Sequence, residues 1–145
     1  MEDQYDRTPL VFVYGTLRQA FKHPMHTLLD NHGVFVDDGW MHGKLYDVNH
    51  YPGAVRSEEA QDRVYGEVYF LGDSRHLLQR LDDYEECGPQ SPYPHEYHRE
   101  VVPIHLLQQG TVQAWSYVYS LPITGLAPIE NGDYVLFRQL QTGTH

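Results

Sequence analysis

The chain has 145 residues, 41% hydrophobic and 21% charged, which points to one globular domain with a core, not a disordered segment. Its formal net charge is −10, which argues against nucleic acid as a partner because that partner needs a basic face. Cys87 is the one cysteine, which excludes an intrachain disulfide and a CxxC knuckle; the polar start "MEDQYDRTPL" and the lack of any apolar run near ~20 residues lead to the expectation of a cytoplasmic protein with no membrane role.

In chain order, Leu10–Val13 is apolar without polar alternation, the mark of a short strand buried on both faces. It ends abruptly at Tyr14-Gly15-Thr16-Leu17, a turn where glycine opens backbone conformations closed to other residues. Successive N–H groups in such a turn can converge on an anion or a polarised carbonyl; taken alone, the turn reads better as an ordinary connector with Tyr14 packed in the core. "KHPMHTLLDNHG" predicts a short helix with Pro24 early and Asn31 to Gly33 at its end. Strands are predicted at Val34–Val36, Trp40–Val48, Arg63–Leu71, Tyr97–Leu107 and Val112–Tyr119. "YPGA" (Tyr51–Ala54) reads as a turn, and "QQGT" as the hairpin joining the last two strands.

The strongest helix signal is "GDSRHLLQRLDDYEE", with Asp73 or Ser74 as N-cap. With Leu77 set at 0°, Leu81 falls at about 40°, Leu78 at about 100° and Glu85 at about 80°. Glu85 therefore lies inside the leucine stripe, while Glu86, at about 180°, and Asp83, at about 240°, lie outside it. A carboxylate on an apolar face is costly unless paired or protonated. Burial raises its pKa and makes it a proton carrier near neutrality. A structural ion pair with Arg99 is the competing reading. Strands, one strong helix and a long hairpin make an α+β domain with a mostly antiparallel or mixed sheet.

The ten histidines raise the question of a metal. Neither His23, His26 and His32 nor His95, His98 and His105 form a recognised ligand pattern, so no metal is expected. Cys87 follows Glu85 and Glu86, whose charge disfavours a thiolate nucleophile. The net acidity mildly suits a neutral or cationic small ligand, and more often serves solubility.

Six segments in this order resemble the γ-glutamylcyclotransferase-like family, also described as AIG2-like: "VYGTLR" (Val13–Arg18), "LYDVNHYPGAV" (Leu45–Val55), "VYGEVY" (Val64–Tyr69), "LDDYEE" (Leu81–Glu86), "YHREVV" (Tyr97–Val102) and "IENGDYV" (Ile129–Val135). The resemblance implies a small mixed, mostly antiparallel β-barrel flanked by helices, one domain over 1–145 with its core at about 9–138. It also implies a cavity beside the turn at Tyr14, Gly15, Thr16 and Leu17, where a γ-glutamyl group is held, and Glu85 as acid/base. Members commonly carry glycine after that glutamate, where this chain has Glu86. The end of the chain is similar to a bacterial branch whose "SGDW"-like motif comes without the glutamate.

The function expected is γ-glutamyl cyclotransfer: release of 5-oxoproline from a γ-glutamyl amine or amide, with no cofactor. Tyr14 and Tyr97 are expected to orient the substrate, and Gly53 to let its loop approach the pocket closely. A non-catalytic binding module on the same scaffold and a Cys87-dependent hydrolase are the alternatives. Neither the amine half of the substrate nor the oligomeric state is legible.

Overall fold

The computed structural model describes residues 8–72, 75–86, 93–108 and 110–142. The strands are β1 (Leu10–Val13), β2 (Val34–Asp47), β3 (Pro52–Arg56), β4 (Arg63–Phe70), β5 (Tyr97–Leu106), β6 (Thr111–Tyr119) and β7 (Ala127–Pro128). The helices are α1 (Pro24–His32), α2 (Arg75–Tyr84) and α3 (Tyr134–Thr142), with a 3-10 turn at Gln19–Phe21. Five strands run in the order β2-β4-β1-β6-β5, and β5 pairs back onto β2 to close a barrel. Every pairing in it is antiparallel except β1 with β6. Beyond the barrel, β2 carries β3 and β7 on its C-terminal half. The fold is the expected mixed, mostly antiparallel barrel flanked by helices.

Two apolar clusters explain why β1 shows no polar alternation. Phe12 points into the barrel with Met41, Val64, Val68 and Ile104. Val11 and Val13 point outward, where Leu29 of α1 and Leu77 and Leu81 of α2 cover them. Both faces of the strand are thus removed from water, and a continuous apolar run results.

Four elements differ from the sequence expectation. Val34–Val36 and Trp40–Val48 are one strand, β2, with a register shift between Phe35 and Asp37, the mark of a bulge absorbed within a strand. Of Tyr51–Ala54, expected as a turn, Pro52 to Ala54 pair with Asp47 to Leu45 as part of β3. The actual reversal lies just before it, where the Val48 N–H donates to the Tyr51 carbonyl at 2.8 Å and His50 has φ 68°. The strong helix stops at Tyr84 instead of Glu86; Asp73 and Ser74, its expected N-cap, lie outside the described residues. Finally, α3 was not expected as a helix. Asp133 caps it, its Oδ1 accepting from the Leu136 N–H at 3.2 Å.

Candidate active site

The chain leaves β1 at Val13 and turns at once. The Arg18 N–H donates to the Gly15 carbonyl at 3.0 Å, closing the turn. Among the described residues, no acceptor takes the N–H groups of Gly15, Thr16 or Leu17, although Leu17 is buried. Unpaired buried N–H groups are rare in folded proteins, and these three border a cavity of about 340 Å³. Gly15 is needed here for proximity: a Cβ would stand 2.8 Å from the Cγ of Pro52. Its φ lies outside the left-handed region.

Glu85 lines the same cavity. It lies one residue past α2, yet its N–H still donates to the Leu81 carbonyl at 2.9 Å, so the helical phase carries through to its side chain. Leu77, Leu78 and Leu81 are all buried, as that phase requires. The carboxylate has no hydrogen-bond or ion-pair partner among the described residues. Burial pushes its pKa up to about 7, with further contributions from the charges of Glu96 and Asp82. The competing reading, an ion pair with Arg99, does not hold. Arg99 makes a two-pronged bond to Asp82, Nε to Oδ1 at 2.8 Å and an Nη2 contact to Oδ2 at 3.1 Å, and lies over the Trp115 ring. Tyr117 also donates to Asp82, at 2.7 Å. Glu86 adopts φ 56°, which swings the chain back, so Glu86 lines the cavity too although helical phase turned it away.

Of the other residues singled out in the sequence, Tyr14, Thr16, Leu17 and Tyr97 line the cavity with Glu85 and Gly15. The hydroxyl protons of the two tyrosines are engaged elsewhere. Tyr14 donates to the Tyr117 carbonyl at 2.5 Å and accepts from the Ala54 N–H at 3.1 Å. Tyr97 donates to the Pro52 carbonyl at 2.6 Å. Both phenols are held protonated by burial. They clasp β3 against the mouth of the barrel and present ring faces and oxygen lone pairs to a ligand, not free donors. Gly53 does not line the cavity; Pro52 does. Gly53 lies beneath the Tyr119 ring, where a Cβ would come within 2.9 Å of it.

The structure adds residues that pattern reading passed over. The Tyr84 hydroxyl lies 3.2 Å from Thr16 Oγ1 and 3.2 Å from His23 Nε2. The His23 Nδ1 accepts from the Met25 N–H at 3.0 Å and so caps α1. Tyr51 donates to Glu96 Oε2 at 2.5 Å, fixing that carboxylate at the cavity. Behind the turn, Arg18 reaches Glu67 of β4, Nε to Oε2 at 3.3 Å, and Asp133 before α3, Nη1 to Oδ1 at 2.8 Å. Glu67, 6% exposed, also accepts from the Gln19 N–H and the Tyr69 hydroxyl, each at 2.9 Å. The turn is thereby clamped to both β4 and the start of α3.

Among the described residues, no group of three or more His, Cys, Asp or Glu is placed to hold a metal ion. His98 contacts Glu100 at 2.6 Å and Ser120. Cys87 lies outside the described residues. No helix among them is long and apolar enough to cross a membrane. Among the described residues, the site therefore combines a floor of backbone donors without acceptors, one carboxylate without a partner, poised near neutrality, and a rim of aromatic hydroxyls. Chemically, that set binds an anion or carbonyl oxygen on one side and moves a proton on the other.

A family model described as gamma-glutamyl cyclotransferase, AIG2-like, matches residues 11–136. The gamma-glutamylcyclotransferase family protein YtfP of Escherichia coli (strain K12) is 37% identical over 127 residues, covering 86% of this chain and 95% of that one. The solution structure of ytfP from Escherichia coli matches with a TM-score of 0.59 at 32% identity, covering 87% of this chain and 96% of that one. The crystal structure of an aig2-like protein from Mus musculus matches with a TM-score of 0.64 at 25% identity, covering 84% and 86%.

Proposed function

The chain belongs to the γ-glutamyl cyclotransferase, AIG2-like family, and from that membership we propose that it releases 5-oxoproline from a γ-glutamyl amine or amide. The observation that carries the proposal is the pairing in one cavity of Glu85 with the amides of Gly15, Thr16 and Leu17, none of which has a hydrogen-bond partner among the described residues.

In this reading the glutamyl half enters between the turn and Glu85. The Glu85 carboxylate takes a proton from the substrate α-ammonium. The freed amine attacks the γ-carbonyl carbon of the same molecule, forming the C–N bond of a five-membered ring. Electron density moves onto the carbonyl oxygen, and the amides at Gly15 to Leu17 serve either that oxygen or the glutamyl carboxylate. Protonated Glu85 then gives its proton to the leaving nitrogen, the original C–N bond breaks, and Glu85 takes the remaining extra proton from the ring nitrogen and passes it to the departing amine, so that 5-oxoproline and an ammonium result. One group thus acts as base and then as acid, and a pKa near 7 suits both steps at neutral pH. Because the attack is intramolecular, the protein's main task is to fold the substrate into attack geometry. The ring faces of Tyr14 and Tyr97 and the edge of Pro52 supply the walls for that. No metal or cofactor enters the scheme.

The test is a panel of γ-glutamyl amines and peptides with 5-oxoproline release as readout. Release by the wild-type protein, lost in Glu85→Gln, supports the proposal. Binding of the panel without release from any member would leave a non-catalytic binding module on the same scaffold.

A further inference from the structure

A backbone amide can only donate, and the Met25 N–H donates to His23 Nδ1 at 3.0 Å. That contact leaves Nδ1 without a proton, so the neutral ring carries its proton on Nε2. Nε2 lies 3.2 Å from the Tyr84 hydroxyl oxygen, with the two rings edge to face at 69°, and donates to it. Tyr84 then has its own proton to place. The acceptor within reach among the described residues is Thr16 Oγ1, at 3.2 Å. Thr16 thus accepts in this contact, and its own hydroxyl proton is left over. No acceptor among the described residues takes that proton. All three side chains line the cavity, so the proton is offered to whatever is held beside the amides of the turn.

Capping alone does not call for an imidazole. Asn, Asp or Ser at the N-cap would serve the Met25 amide as well, but those side chains end at the cap. The histidine ring carries a second nitrogen on its far side, and that nitrogen spans from the start of α1 to the end of α2. One edge of the ring serves the helix and the other serves the site. With the relay reversed, Thr16 would donate to Tyr84 and turn only lone pairs to the cavity, which a carboxylate or carbonyl oxygen repels.

We propose that His23 is a positioning residue: the cap on α1 fixes its tautomer, the tautomer fixes the direction of the relay from His23 through Tyr84 to Thr16, and the Thr16 hydroxyl is thereby set to donate to the ligand oxygen at the turn. The identity of that ligand rests on the γ-glutamyl reading of the site. The order of the protons does not, and the two are tested separately.

The order is read without ligand. A long-range nitrogen-15 spectrum of the histidine side chains, taken at about pH 8.5, above the ordinary histidine range, should show His23 protonated on Nε2 and bare on Nδ1. Tyr84→Phe should shift the Nε2–H signal. The opposite tautomer, or a signal unmoved in Tyr84→Phe, overturns the inference. The effect on the site is read by calorimetry with 5-oxoproline, the ring product of the proposed reaction. Thr16→Val keeps the β-branched shape and should lose about ten-fold or more in affinity, the size of one hydrogen bond to a charged group. His23→Asn keeps a cap and removes the Nε2 donor; it should melt close to the wild type and bind about three-fold or more weakly. Combined with Thr16→Val, it should cost less than about two-fold further, because the proton it orients is gone. Wild-type affinity in His23→Asn, or losses that multiply in the double variant, overturn the inference, since His23 would then be a cap alone or act elsewhere. A folded wild-type protein with the expected spectrum that binds no 5-oxoproline would overturn the γ-glutamyl reading and leave the proton order standing.

Discussion

The Tyr84 hydroxyl stands 3.2 Å from the Thr16 hydroxyl, tying the end of the helix that delivers Glu85 to the turn that offers free amides. The contact joins the two halves of the site at the cavity wall. Tyr84→Phe should cost roughly 0.5–1.5 kcal/mol of stability, the worth of one ordinary hydrogen bond. It should also lower kcat/KM by a larger factor than the loss of stability explains, because the carboxylate and the cradle are no longer in register. A thermal melt and steady-state kinetics on the one variant check both halves.

Glu85→Gln keeps shape and removes the proton carrier. Turnover should fall by about 10²–10⁴-fold while substrate still binds. Near-wild-type release of 5-oxoproline by this variant would remove the mechanism.

The same residue sets a pH signature. Its folded-state pKa, about 7, lies above its ordinary value, so between the two the folded chain binds more protons than the unfolded one. Stability contributed by this group is therefore present below pH ~4.5 and falls as pH rises to about 7. Relative to wild type, Glu85→Gln should melt higher at pH 8 and gain little at pH 4. In kinetics, kcat/KM should rise with pH through a limb near 7. Glu96→Gln should move that limb to lower pH, because the Glu96 charge helps to raise Glu85. A limb that stays put would mean a different titrating group.

Gly15→Val tests the close approach to Pro52. The new side chain would begin 2.8 Å from the ring, so β3 and the turn must part. Overpacking of this kind costs on the order of 1–3 kcal/mol, and ligand affinity should drop with it. Unchanged affinity would make the turn a mere connector.

Removing the clamp behind the turn should hurt the fold first. Arg18→Met leaves Glu67 buried without its ionic partner, a loss in the range of about 3–5 kcal/mol. The double variant Arg18→Met with Glu67→Gln should recover much of that stability and still bind γ-glutamyl ligands poorly, because the turn has lost its tie to Asp133. Full recovery of both would show that the clamp serves stability alone.

Turnover should survive dialysis against a strong chelator, since the scheme asks only for a proton carrier. Loss on dialysis with recovery on adding zinc would return the histidines to the mechanism.

Much of the architecture was legible because local pattern and tertiary environment agree. The unbroken apolar run of β1 reflects burial on both faces, and the leucine phase of α2 pointed Glu85 toward the cavity it now lines. Expectation failed where tertiary pairing overrode local chemistry. Pro52-Gly53 reads as a turn, but proline is tolerated as the first residue of a strand, and Gly53 makes room for Tyr119. In β2, "DDG" reads as a break, but Asp37 accepts from the Gln108 N–H at 2.9 Å and the strand carries on through a bulge. The start of α3 left one readable trace, an aspartate at the N-cap position. Glu67 left another, a carboxylate in the apolar run "VYGEVYF" that had to find a cation. Tyr51, Tyr84 and Glu96 left none, because their roles exist only once the barrel closes.

The parallel pairing of β1 with β6 has a consequence for synthesis. Val11 is opposite Trp115, so roughly 100 residues must follow β1 off the ribosome, some 5–20 s of elongation, before its second neighbour exists. Until then β1 has an open edge, and Tyr14 has no Tyr117 carbonyl to hold. The turn that would cradle a substrate is among the first pieces made and among the last to be fastened. A chain stalled ahead of Thr111 therefore displays an apolar strand edge beside an unfinished cavity, a ready target for chaperones.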